Sequence, residues 1–381
     1  TEKEARNINY FNKNKVVNDS IENPYYSDSL EEGDSLVLID LSKTLNAIKN
    51  NKKQGFYSGW VADKMIEEIS NNGGIVNHDD LANYNSIWRK PIESTYKNYK
   101  VISMGPPSSG GVLLAQMLEM ISHYPVKKWG FHSQKAIHLM AEIERRAFAD
   151  RSEHLADPDF HEIQFLSLLD SLYLSNRIDD VDFNQATLSS TIFPGEFISN
   201  ESDETTHFSI VDDKGNAASV TTTLNASYGS GVIVTGAGFL LNNEMDDFSI
   251  QPGYPNLYGL IGGQANAIQP EKRMLSSMTP TILEKNGELF MVLGSPGGST
   301  IITAVFQTIL NVIEHNMSID SAVTVARFHH QWLPDQIRME KSIFKDSLLI
   351  TQLKKIGHNL KSVNSMNRVD AILIKNNKLY G

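Results

Sequence analysis

The chain has 381 residues, 40% of them hydrophobic and 21% charged, which is enough apolar material for a core in one large domain or two to three smaller ones. A net charge of -11 argues against nucleic acid or an anionic membrane as the main partner, because both select a basic face. The absence of cysteine excludes disulfides, thiolate metal sites and a cysteine nucleophile.

Residues 1–35 are polar and asparagine-rich and read as loose. They carry neither an initiator methionine nor the charged-then-apolar pattern of a signal peptide, so the chain is expected to begin inside its gene product. Helical periodicity starts at Leu36 to Ile48 and returns at Trp60 to Ser70, where Ala62, Met65, Ile66 and Ile69 share a face and Asn72-Gly73-Gly74 supplies a stop. Asn77 and Asp80 fit the cap of a short helix through Tyr84. Tyr99 to Met104 reads as a strand, and Gly105-Pro-Pro-Ser-Ser-Gly-Gly111 leads into a helix from Val112 to Ser122. A longer helix spans about Ser133 to Ser152, followed by a turn at Asp157-Pro158-Asp159.

Residues 176–204 lack a clear period and read as a surface linker that ends at the pair Thr205-Thr206. Beyond it the pattern changes to hairpins: Phe208 to Val211 with Ala217 to Thr222, and Pro280 to Glu284 with Glu288 to Leu293. Helix returns at Thr300 to Glu314 and Ser318 to Arg327. Paired strands with helices before and after predict a layered α+β fold. No apolar run reaches membrane-spanning length, since Ile301 to Val312 is interrupted by Thr303, Gln307, Thr308 and Asn311.

Several chemistries lack their motifs. The sequence has no Gly-x-Ser-x-Gly elbow, no His-Glu-x-x-His and no phosphate-binding Gly-Lys-Ser/Thr. The tandem His329-His330 sits beside Trp332 and Leu333, and core packing explains it better than metal ligation, because adjacent side chains diverge. Three polar loops remain. Asn242-Asn243-Glu244-Met245-Asp246-Asp247 reads alone as a solvated turn after a strand. Ser276-Ser277 reads as a cap or as a pair of hydroxyl donors. Gly294-Ser295-Pro296-Gly297-Gly298-Ser299, between strand and helix, is either a tight connector or a set of backbone N–H groups aimed at a negative oxygen.

Taken together, TTHFSIVDDKGNAASVTTTLN, LLNNEMDDFS, PNLYGL, LSSMTP, GSPGGS and RFHHQWLPD resemble, in order and spacing, the gamma-glutamyltranspeptidases. PPSSGG and AFADRSEHLADPDF resemble the larger subunit of the same family. The resemblance runs from about Leu36 to the end. It implies the four-layer αββα sandwich of N-terminal-nucleophile hydrolases, here incomplete at its N-terminus. It implies autocatalytic cleavage between Glu204 and Thr205, giving residues 1–204 as part of a large subunit and 205–381 as a small catalytic one. The chemistry is coherent: a threonine hydroxyl needs a base, and the α-amine freed by cleavage can serve as one, whereas the uncut amide cannot.

The other roles are carried over by resemblance. Thr223 orients the nucleophile. Asn225, Glu244 and Asp247 hold the α-amino end of the glutamyl group, and Ser276 and Ser277 its α-carboxylate. Gly297 and Gly298 supply the oxyanion donors, and Tyr258 sits in a lid loop. The implied reaction passes the γ-glutamyl group of glutathione or a related compound to water, an amino acid or a dipeptide, with no metal or organic cofactor, in the periplasm or outside the cell. Family members carry a preceding segment with the export signal and a carboxylate-binding arginine, and they continue past Gly381. No arginine here is assigned that role, so the chain reads as a fragment with little activity of its own. A non-catalytic remnant, a sister amidase and a poly-γ-glutamate depolymerase are the competing readings. Asn225, Asp247, Ser276 and Ser277 favour an amino-acid head group over a glutaryl one.

Overall fold

The computed structural model describes residues 1–14, 29–193, 206–252, 254 and 263–381. Thr205, Tyr258 and the Glu204–Thr205 bond lie outside the described residues. The rest forms two compact units, residues 1–88 with 226–243 and residues 89–225 with 244–381. These units do not follow the division expected at Thr205, which would concern covalent pieces and not compactness.

The first unit is helical. The expectation that residues 1–35 are loose is corrected at its start, where Glu2–Asn14 is a helix. Among its described side chains Ala5 and Ile8 are buried, three residues apart on one face, a sparse signal among polar neighbours. Helices Ile39–Asn51 and Gly59–Asn71 follow, and the second buries Ala62 and Met65 with Val234 and Ala237. It stops where Gly73 takes φ +79°. Helix His78–Asn83 opens on a capping box: Asn77 accepts from the Asp79 and Asp80 N–H groups, and the Asp80 carboxylate accepts from the Asn77 N–H.

The second unit is built on a six-stranded sheet in the order β1 (Ile92–Tyr96), β2 (Tyr99–Ser103), β5 (Thr281–Lys285), β6 (Glu288–Gly294), β10 (Asp370–Lys375) and β11 (Lys378–Tyr380), antiparallel throughout. Register places Val101, Leu283, Met291 and Leu373 in one row across four strands. That row joins the core formed with the helices Gly110–Ser122, Gln134–His154 and Thr300–Ile313. On the sheet's other face packs the hairpin of β3 (Thr206–Val211) and β4 (Ala217–Thr222). Its outward residues Phe208 and Ile210 are exposed. A three-stranded sheet of β7 (Phe328–His329), β8 (Ile337–Glu340) and β9 (Leu360–Val363) completes the unit.

Two further readings are corrected. The linker expected at 176–204 begins inside helix Ser171–Ile178, and its stretch at 186–192 is fastened down. The Trp332 indole N–H donates to the carbonyls of Ser189 and Ile192, the Asp335 carboxylate accepts from the Ser189 N–H, and Arg145 reaches both Ser189 and Asp335. The helix expected over Ser318 to Arg327 ends at Thr324, where the Arg327 guanidinium takes the Val323 carbonyl. The core reading of His329-His330 agrees with the structure. His329 bonds Thr303 and Gln331 at 2.9 Å each, His330 accepts from the Trp332 N–H, and burial pushes the two imidazoles down to about 3 and about 4.

Candidate active site

The hairpin β3–β4 carries the strand that follows Thr205. Thr206 pairs with Thr222, one residue before Thr223. The Ser219 hydroxyl donates to the Leu293 carbonyl at 3.0 Å and accepts from the Thr281 N–H at 3.0 Å, which pins the hairpin to β5 and β6. His207 is buried against Gly294, the last residue of β6, and bonds Thr221 at 2.8 Å and Ser209 at 3.1 Å. Burial pushes its imidazole down to about 4, so at neutral pH it packs as an uncharged ring. A Cβ at position 294 would clash with the His207 ring, 2.3 Å from its nearest atom. Gly294→Ala is therefore expected to destabilise the protein by about 1–3 kcal/mol through overpacking, read as a lowered melting temperature, with an unchanged melt contradicting this contact.

After Gly294 the chain turns through Gly297 at φ +126° and Gly298 at φ +57°, a region that glycine occupies without strain. The Thr300 hydroxyl donates to the Gly297 carbonyl at 2.6 Å, and the Ile301 N–H donates to the Gly298 carbonyl at 2.9 Å. These bonds turn both carbonyls toward the start of helix Thr300–Ile313. A trans peptide opposes its C=O to the following N–H, so the Gly298 N–H points away from the Thr300 hydroxyl. The loop is thus an N–H-presenting turn at the positive end of a 14-residue helix, suited to a developing oxyanion.

At the end of β4 the Thr223 hydroxyl accepts from the Asn225 N–H at 2.8 Å, and Asn225 is buried at φ +73°. Glu244–Asp247 is a 3-10 turn. Asp247 is buried, and the Glu244 carboxyl is pushed up to about 7 by burial, with the neighbouring Asp247 charge adding to the effect. The Ser276 carbonyl accepts from the Ser109 N–H at 2.7 Å and from the Ser109 hydroxyl at 2.9 Å, while the Ser276 N–H donates to the Pro107 carbonyl at 2.7 Å. Arg151, itself buried, donates from Nε to the Ser109 hydroxyl at 2.9 Å. The neighbouring Ser277 hydroxyl is buried with no hydrogen-bond partner among the described residues. A buried, unpaired hydroxyl is costly unless a ligand uses it.

The structure therefore links Thr223 to Asn225, and it links Asp247 to the serine pair through Asn266, whose side chain bonds the Asp247 carbonyl and the Leu275 N–H. Thr205 and Tyr258 lie outside the described residues. Sequence reasoning missed His207, Ser109, Arg151 and Asn266. Ser109 and Arg151 stand inside PPSSGG and AFADRSEHLADPDF, but no spacing shows that they hold up Ser276.

Among the described residues, His138, Glu142 and His358 bring three ligand-type atoms within 4.8 Å of one another. His138 Nδ1 and His358 Nε2 are 2.7 Å apart, a hydrogen bond between rings that burial keeps neutral. Two nitrogens on a tetrahedral zinc stand about 3.3 Å apart, given Zn–N bonds near 2.05 Å. Burial alone would raise the Glu142 carboxyl, but Arg145 and Arg146 outweigh it and hold the group ionised. The cluster is built as a hydrogen-bonded network.

The family profile described as Gamma-glutamyltranspeptidase matches residues 3–381. The chain belongs to this family. It is 45% identical over 353 residues to the "Glutathione hydrolase proenzyme" of Escherichia coli (strain K12), covering 92% of this chain and 60% of that protein. It is 35% identical over 298 residues to the "Acylase ACY 1 proenzyme" of Pseudomonas sp. (strain SE83), covering 78% and 51%. The chain thus spans between half and about three-fifths of these curated relatives. Its fold is that of the cephalosporin acylase from Bacillus halodurans, with a TM-score of 0.73 at 23% identity over 88% of this chain and 58% of that one. The α+β class and the N-terminal-nucleophile sandwich expected of a gamma-glutamyltranspeptidase follow from these matches. No helix among the described residues is long and apolar enough to cross a membrane.

Proposed function

We propose that the protein transfers the γ-glutamyl group of glutathione and related compounds to water or to an amino acid or dipeptide, through an ester on Thr205 formed after self-cleavage of the Glu204–Thr205 bond. The observation that carries this reading is the buried, unpartnered Ser277 hydroxyl in a serine pair that Asn266 ties to the acidic turn of Asp247. An α-amino acid head group supplies the matching charges, a carboxylate for the serines and an ammonium for the acids. The names of the glutathione hydrolase relatives support the same substrate class.

In this reading the Thr205 α-amine takes the hydroxyl proton as Oγ attacks the γ-carbonyl. Charge develops on the carbonyl oxygen in front of the Gly297–Gly298 turn. The C–N bond then breaks, and the amine product leaves with the proton. Water or an acceptor amine repeats the sequence on the ester and restores Thr205. Thr223, fixed through Asn225, orients the nucleophile, and Tyr258 covers the glutamyl pocket. By resemblance to its family, we infer that the protein works in the periplasm or outside the cell.

The raised Glu244 carboxyl gives a pH test. Below about 7 it is protonated in the free protein and must lose that proton to meet an ammonium. Affinity for L-glutamate is expected to rise as pH increases toward about 7 and to level off above it. Glu244→Gln should bind more weakly, with a flat profile, when measured by calorimetric titration across that range. An unaltered profile would take Glu244 out of the ammonium site. For the fold the sign is opposite: a carboxyl raised from 4.5 favours the folded state at low pH, and that advantage is lost between 4.5 and about 7.

A further inference from the structure

We infer that Asn266 is a positioning residue that sets the distance between the two ends of the head-group site, and thereby the preference for donors carrying both an α-ammonium and an α-carboxylate. The inference rests on the reading under Proposed function. Asn266 is fully buried at the end of the 3-10 turn Gln264–Asn266. Its Nδ2 donates to the Asp247 carbonyl at 2.7 Å, and its Oδ1 accepts from the Leu275 N–H at 3.1 Å. Its own carbonyl accepts from the Ser249 N–H at 2.9 Å, and Ser249 and Ala267 form a parallel bridge. One planar amide therefore spans from the acidic turn to the residue before Ser276.

The side-chain type matters. The Asp247 carbonyl needs a donor and the Leu275 N–H an acceptor, and a carboxamide supplies one of each in a fixed plane. Aspartate would face the carbonyl with a second acceptor, and an apolar side chain would leave the two bonds unmade. On the far side, the serine pair is already fixed, because Ser109 holds the Ser276 carbonyl and Arg151 holds Ser109. Asn266 is thus the member that sets the acid against a rigid floor. An α-amino acid has one separation between ammonium and carboxylate. A shift of one end penalises ligands that use both ends and spares ligands that use only the carboxylate.

The test compares wild type with Asn266→Asp, the isosteric change, in the full-length processed protein. Competitive inhibition by L-glutamate and by glutarate, which lacks the ammonium, is measured together with KM and kcat for γ-glutamyl-p-nitroanilide. Asn266→Asp is expected to raise KM and the glutamate inhibition constant about 10- to 100-fold, as a misplacement near 1 Å would. Glutarate inhibition should stay within about threefold, and kcat should change little. Asn266→Ser, which keeps a hydroxyl able to accept from Leu275, provides the same comparison if the aspartate variant does not fold. Equal weakening of both ligands, or a loss confined to kcat, would overturn the positioning role, as would failure of both variants to fold, since that assigns Asn266 to stability alone. A wild type that binds no glutamate would instead sink the functional reading on which the inference rests.

Discussion

Thr205→Ala is expected to leave the precursor as one uncut chain with γ-glutamyl transfer reduced by several orders of magnitude. Removing the nucleophile of a covalent mechanism abolishes the step on which the others depend, and such losses reach about a millionfold in kcat. Two losses coincide in the proposed mechanism. Without the hydroxyl, nothing attacks the Glu204 carbonyl, and without that cleavage no α-amine appears to serve as base. The surrounding construction is consistent with this demand on position. Ser219 ties the hairpin to β5 and β6, and His207 sits against Gly294, where the chain enters the Gly297–Gly298 turn. Electrophoresis of the purified variant checks it. If the chain still splits before position 205, an outside protease does the cutting.

Asp247→Asn is expected to raise KM for γ-glutamyl-p-nitroanilide far more than it slows deacylation. The substitution keeps size and removes the charge proposed to meet the substrate ammonium. Asp247 is buried in its 3-10 turn, so the unpaired ammonium finds little water to replace the lost partner. The expected loss is about 2 to 5 kcal/mol, or roughly 30- to several-thousand-fold in affinity. Steady-state kinetics give the split directly, because loss of binding common to ground and transition state appears in KM. An unchanged KM would put the ammonium elsewhere.

The parts of this fold that were legible in sequence are those with local chemistry. The hairpin turn at Asn286-Gly287 adopts positive φ at both residues, as an Asn-Gly pair invites, and Gly215 does the same between β3 and β4. The capping box at Asn77 was readable for the same reason. The later strands were not. β7 has two residues and β8 four, too short for alternation to register, and β10–β11 turns through Asn376-Asn377 without a glycine. Helix Gln134–His154 was found, but not its role. Glu142, Glu144, Arg145, Arg146, Asp150 and Arg151 are all buried, where a periodicity argument sends charges to the surface. Their partners, among them Asp335, Ser109, His330 and Arg177, are distant in sequence.

The candidate site divides in the same way. The loops of Glu244, Ser276 and Gly297 stood out as polar islands beside apolar strands, yet each alone was also a plausible turn. Only the resemblance gave them roles. Asn266 and Ser109 carried no signal, because a brace between backbone groups is invisible until the segments it joins are seen together.

The intact mass of the fragment beginning at Thr205, taken before and after brief exposure to a γ-glutamyl donor and an acid quench, tests the central claim most directly. The expected fragment begins at Thr205. It should gain the mass of one γ-glutamyl group, which peptide mapping places on the Thr205 side chain, and lose it again when the donor is exhausted. A stable fragment that never takes up the group, or an adduct mapped to any other residue, would contradict Thr205 as the acyl carrier.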